Sequence, residues 1–267
     1  MERFLDPRAR AGDECACHEV VRVAGILLSL VLLTWAPIVS AETFSQAAFD
    51  TVLGAHLHDG RVDYGALAAD PGPLERYLAT TREANPDGWP REEQIAFWVN
   101  VYNARVLDGV IHHPKLRSVL DVGKTLGVPT LGFFRETFIV AGKKLSLNDI
   151  EHGILRARFH EPRVHFVLNC ASASCPVLPE HPLTAAALDA TLEQATVRFL
   201  IDPARNHIDP AHRLEVSSIF KWYGDDFKTA AGSVQAFIEK HWPRKDKFAP
   251  KLPVRFLDYD WSLNGSW

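Results

Sequence analysis

The stretch "EQIAFWVNVYNARVLDGVIHH", residues 93 to 113, most narrowly limits what this chain can fold into. On a helical wheel Ile95, Val99, Tyr102, Val106 and Val110 share one face, while Phe97, Val101 and Ala104 cover the opposite one. A helix without a polar face belongs at the centre of a core, so the rest of the chain must wrap around it. Asn100 and Asn103 lie inside this run and cannot both reach water. Their amides need buried partners, because an unpaired buried amide costs about 1–3 kcal/mol.

The flanking segments supply the wrapping. Residues 43 to 58 read as an amphipathic opening helix, and "NPDGWPREE" is the loop from which the central helix starts near Arg91. "ETFIVAGKKLSLNDIEHGILRAR" reads as a strand, a tight turn at Gly142-Lys143, a second strand and a helix, with Ser146 and Asp149 in a capping-box arrangement. In that helix Leu147, Ile150, Ile154 and Leu155 form the apolar stripe, Glu151 falls inside it and His152 lies at its edge. "VHFVLN", residues 164 to 169, reads as a strand buried on both faces. Thr184 is placed to cap a helix running to about Leu200, "NHIDPAHRLEVS" is a hairpin, and "VRFLDYDWSLN" is an extended closing segment. Long helices early and short strands later predict a single α+β domain over residues 42–267, with a buried central helix and a small mixed or antiparallel sheet.

The first 41 residues read as an export leader: Arg22 for charge, "VAGILLSLVLLTWAPIVSA" for the apolar core, and Val39-Ser40-Ala41 for cleavage. The apolar stretch is broken by Pro37 and is short for a membrane span, which needs about 20 apolar residues. The expectation is a periplasmic or secreted protein with no stable span once the leader is removed. The segment before Arg22 is long for a leader, and a start near Val20 or Val21 would leave out Cys15 and Cys17. With 29 Lys and Arg against 33 Asp and Glu, the chain has no basic excess to neutralise phosphates, which argues against nucleic acid as a partner.

Three segments carry polar side chains where a core is expected: Asn100 and Asn103; Glu151 and His152; His165, Asn169 and Cys170. Each one read alone is an ordinary hydrogen-bonded core residue. Read together they point to a shared site, because ionisable groups gathered in a cleft are where function concentrates. Two functional readings follow. In one, Cys170 is the nucleophile of a hydrolase or acyltransferase, with His152 or His165 as base and Glu151, Asn100 or Asn103 as orienter, acting on a small molecule or peptide. In the other, Cys170 and Cys175 form a disulfide in an oxidising compartment, and the polar set is a structural network or ligand pocket of a non-catalytic domain. The spacing His165-x4-Cys170-x4-Cys175 is not a usual zinc pattern. No Gly-rich phosphate loop, Gly-x-Ser-x-Gly elbow or His-Glu-x-x-His helix is present, so no metal or cofactor is implied.

Six stretches, "VDYGAL", "AFWVNVYNARVL", "LSLNDIEHGILR", "PRVHFVLNCASASCP", "SSIFKWYGDDF" and "YDWSLN", together resemble the family called domain of unknown function 547. The resemblance runs from about Val62 to Asn264, and its most specific parts are the Asn-x-x-Asn helix and the Asn-Cys-to-Ser-Cys-Pro loop. It implies fixed polar positions at Asn100, Tyr102, Asn103, Glu151, His152, His165, Asn169, Cys170 and Cys175. It carries no agreed activity, so the reaction stays open while the fold and the site residues are reinforced.

Overall fold

The computed structural model describes residues 44–123 and 132–267; the expected leader lies outside the described residues. The described residues pack as one unit. The chain opens with α1 (Ala47–His56), a short hairpin of β1 (Leu57–His58) and β2 (Arg61–Asp63), then α2 (Tyr64–Ala69) and α3 (Gly72–Arg82). Asp63 starts α2 by accepting from the Ala66 N–H, as an N-cap does.

α4 (Arg91–Ile111) is the central element. Trp98, Val99, Val101 and Ala104 are fully enclosed, so helix faces on all sides are covered, as its sequence requires. α2 and α3 pack on it, as do the helix that follows the second hairpin and the turn at residues 185–187. Glu92 and Glu93 sit in its first turn, where carboxylates favour the positive end of the helix dipole.

The second hairpin joins β3 (Thr137–Val140) to β4 (Lys143–Ser146) through Ala141 and Gly142. Both turn residues have positive φ, as a two-residue hairpin turn demands, so the turn falls one residue earlier than the Gly142-Lys143 expected. Ser146 and Asp149 then close their capping box. Asp149 Oδ2 accepts from both the Ser146 N–H and hydroxyl, at 2.8 and 2.7 Å, and Asp149 N–H donates back to Ser146 Oγ. The helix they start, Asp149–Phe159, is wound as a π-helix, a rare form that recurs at functional sites. It buries Glu151 and leaves His152 on the outside.

One element departs from expectation. Residues 164–169 are buried as predicted, but they are not a strand: Pro162–Phe166 form a 3₁₀ turn that runs into an irregular segment. Pro162 presets a helical φ at its start, and the Glu161 carboxylate accepts from the Arg163 N–H. Hydrophobic content alone does not separate a short buried helical turn from a buried strand.

Beyond the cysteine loop come α5 (Leu188–Ile201), the antiparallel hairpin β5 (His207–Asp209) and β6 (Arg213–Val216), α6 (Ile219–Trp222), α7 (Gly224–Ala231) and α8 (Val234–His241). Thr184 gives no side-chain cap; a 3₁₀ turn at Ala185–Ala187 leads into α5 instead. β7 (Val254–Phe256) adds to β6 in parallel, and β8 (Gly265–Ser266) adds to β2 in parallel. The fold is therefore α+β, with small sheets, two of them mixed, at the margins of a helical core. Gly265 is needed where it stands: a Cβ there would lie 2.1 Å from the Val62 carbonyl oxygen. Among the described residues no helix is long and apolar enough to cross a membrane.

Candidate functional site

The polar residues expected in the core divide into two groups with different work. Asn100, Asn103 and Asn169 bind backbone. Asn100 donates from Nδ2 to the Leu183 carbonyl and accepts the Leu183 N–H on Oδ1, both at 2.8 Å. Asn103 donates to the Val167 carbonyl and accepts from the Asn169 N–H, both at 2.9 Å. Each amide thus does what a neighbouring strand would do for an irregular segment, satisfying one carbonyl and one N–H at a time. Asn169 continues the chain of bonds. Its Oδ1 accepts from the Ala171 N–H and from Asn264 Nδ2, and its Nδ2 donates to the Pro176 carbonyl, so it holds both ends of the cysteine loop. Asn264, in turn, accepts from the Tyr64 hydroxyl at 2.8 Å. Sequence reasoning did not single out Asn264, although it lies in the closing motif "YDWSLN".

Tyr102, Glu151, His152, His165, Cys170 and Cys175 instead line one cavity of about 430 Å³. The cavity sits between the π-helix, the cysteine loop, α6 and the C-terminal segment, a volume suited to a small organic molecule. Glu151 is 7 % exposed and accepts from the Tyr102 hydroxyl at 3.2 Å and from the Tyr223 hydroxyl. Burial, reinforced by the Glu151 carboxylate, pushes both phenols above their ordinary range, so they act as donors and not as phenolates.

Beside Glu151 lies a second network. Arg156 grips Asp226 with two bonds, Nε to Oδ2 at 2.6 Å and Nη2 to Oδ1 at 2.9 Å. Its Nη1 donates to His152 Nδ1 at 2.9 Å. A guanidinium only donates, so that ring nitrogen accepts and the His152 proton sits on Nε2. His165 donates from Nε2 to the same Asp226 oxygen at 2.8 Å and stacks on Tyr223 with ring centres 3.8 Å apart. Burial pushes the Asp226 carboxyl up, but the bonds from His165 and Arg156 outweigh it and hold the group well below the usual carboxylate range. Arg156, Tyr223 and Asp226 were not among the expected site residues. Arg156 stands four positions after His152, one turn along the same helix face, which is the signal that could have found it.

Cys170 and Cys175 are joined by a disulfide. The Cys170 sulfur is half-buried at the cavity wall, with the Ser172 and Tyr259 hydroxyls at 3.1 and 3.3 Å. The Cys170 N–H donates to the Cys175 sulfur, and Ala171 takes the left-handed conformation that lets the loop close. Trp222, Tyr259 and Trp261 complete the wall as a mutually packed aromatic cluster, ring centres 4.7 to 5.6 Å apart. Tyr259 and Trp261 are two residues apart in an extended segment, and that period places both on one side. Among the described residues no three His, Cys, Asp or Glu side chains gather closely enough to hold a metal ion.

Residues 86–200 match the family described as "Protein of unknown function, DUF547". Over those residues the chain is similar to that family. The matched stretch contains α4, the π-helix and the cysteine loop, and with them Asn100, Tyr102, Asn103, Glu151, His152, His165, Asn169, Cys170 and Cys175. The DUF547 match leaves outside it Ile219, Trp222, Tyr223, Tyr259 and Trp261, so about a third of the cavity wall comes from the chain that follows, as does Asp226 behind it. No curated protein and no solved structure matches the chain.

Proposed function

We propose that this chain is a non-catalytic binding domain for a small organic molecule, stapled by the Cys170–Cys175 disulfide and working in an oxidising compartment such as the periplasm. One observation carries the reading. The Cys170 sulfur is bonded to Cys175 and has hydroxyls as its polar neighbours, while the hydrogen bonds of His152 and His165 go to Arg156 and Asp226. A nucleophilic thiol needs a base within hydrogen-bond reach, and these rings are engaged elsewhere. Aromatic walls around a few fixed polar groups are what small-molecule sites are made of. A disulfide in a short loop also fits export, since such bonds persist outside the reducing cytosol.

A second reading has one observation in its favour: Cys170 lies on the cavity wall rather than beneath it. Reduction would place a thiol there, and a hydrolase or acyltransferase with Cys170 as nucleophile and His152 as base would then act only in the reduced state. The Cys170→Ser/Cys175→Ser double variant separates the two. The binding domain predicts a less stable protein that still binds whatever the native protein binds. An acyl-transfer activity that appears on reduction and disappears in Cys170→Ser overturns it.

A further inference from the structure

Glu151 is the one carboxylate on the cavity wall, and among the described residues no Lys or Arg forms an ion pair with it. Its partners, Tyr102 and Tyr223, are neutral donors. The one guanidinium on the wall, Arg156, is committed elsewhere: Nε and Nη2 to Asp226 and Nη1 to His152. Arg156 also attracts Glu151 at longer range, yet one guanidinium against the Asp226 and Glu151 carboxylates leaves one net negative charge at this wall. A carboxylate removed from water without a cation is costly, and a bound cation would offset that cost.

The rest of the wall has the matching character. Trp222, Tyr259 and Trp261 present an aromatic cluster, while the Tyr223 ring is already engaged by His165 and Arg156. The faces of such rings attract a cation that has shed its water, Trp most strongly. Trp222 is 45 % exposed although it belongs to this cluster, which leaves aromatic surface at the mouth for a ligand to cover. An anionic ligand would have to compete with Asp226 for Arg156 and would face Glu151.

Resting on the binding-domain reading, we propose that the cavity takes an organic ammonium cation, with Glu151 as its counter-charge and the Trp222–Tyr259–Trp261 cluster as the surface that covers its alkyl groups.

The test uses the native, disulfide-bonded protein carrying 5-fluorotryptophan and reads the fluorine resonances of Trp222 and Trp261. The probes are choline and its uncharged carbon isostere 3,3-dimethylbutan-1-ol, titrated separately. The expected result is a saturable shift of both resonances with choline and at least tenfold weaker binding of the isostere. Glu151→Gln should weaken choline at least tenfold and leave the isostere unchanged. Should Glu151→Gln fail to fold, Trp222→Ala, at a partly exposed position, should still fold cooperatively and weaken choline severalfold, read on the Trp261 resonance. Equal binding of the two probes overturns the cation, and so does silence from both. A set of neutral and anionic fragments on the same sample then distinguishes the failures. Shifts from those fragments leave the binding domain standing with a different ligand class, and no shift from any fragment removes both readings.

Discussion

Asn103, in the middle of the central helix, holds the segment that leads into the cysteine loop: its Oδ1 accepts from the Asn169 N–H and its Nδ2 donates to the Val167 carbonyl, each at 2.9 Å. Through Asn169 the same contact reaches Ala171, Pro176 and Asn264. The disulfide-bearing wall of the cavity is thereby referenced to the most deeply buried helix of the fold. Three testable consequences concern this framework and one concerns the ion network.

Asn103→Ala should remove both bonds and leave a buried carbonyl and a buried N–H without partners. At about 1–3 kcal/mol for each of the two groups, the melting temperature should fall by roughly 5–20 °C. Asn100→Ala, whose partner Leu183 lies outside the cysteine loop and off the cavity wall, should cost a similar amount. Only the Asn103 variant should change the tryptophan environment of the cavity, readable in fluorescence alongside calorimetry.

The Cys170→Ser/Cys175→Ser double variant should lose about 2 kcal/mol, the chain-entropy value for so short a loop. Protein purified without reductant should take up no alkylating reagent by intact mass until it is reduced. Alkylation of the untreated protein would contradict the disulfide.

Gly265→Ala should displace β8. The added methyl would meet the Val62 carbonyl oxygen, which is backbone and cannot swing aside. The expected cost is about 1–3 kcal/mol. Hydrogen exchange should show the loss confined to β2, β8 and the Asn264 contacts, with the α4 amides still protected.

Asp226 should set part of the acid limb of stability. Its carboxyl titrates lower in the folded chain than the ordinary value near 3.9, so the folded state favours the ionised form. That contribution is complete above about pH 5 and is lost as pH falls through the unfolded value toward the depressed folded one. Denaturant midpoints between pH 2 and 7 should drop below about pH 4 in the native protein. Asp226→Asn should be less stable at pH 7 and flatter below pH 4.

Much of this architecture was legible in the residues. The all-round apolar run from Ile95 to Val110 could only be a central helix, because no arrangement with one face in water hides both Phe97 and Val99. The Ser146–Asp149 box and the His207–Val216 hairpin were readable because capping and hairpin pairing are local, set by side chains within a few residues. The irregular segment at 164–169 was not, because an amide from Asn103, distant in sequence, takes the place of the strand partner that its apolar pattern suggested. Residues expected as one polar cluster proved to be two, since polarity and burial are visible in a sequence while the direction of a hydrogen bond is not. Only the tertiary structure decided that Asn100, Asn103 and Asn169 bind backbone, that Arg156 and Asp226 cancel each other, and that Trp222, Tyr259 and Trp261 from the far end of the chain close the cavity around Glu151. The physical reason is the same in each case: such partners are set by which long-range contacts the packed core brings within about 3 Å.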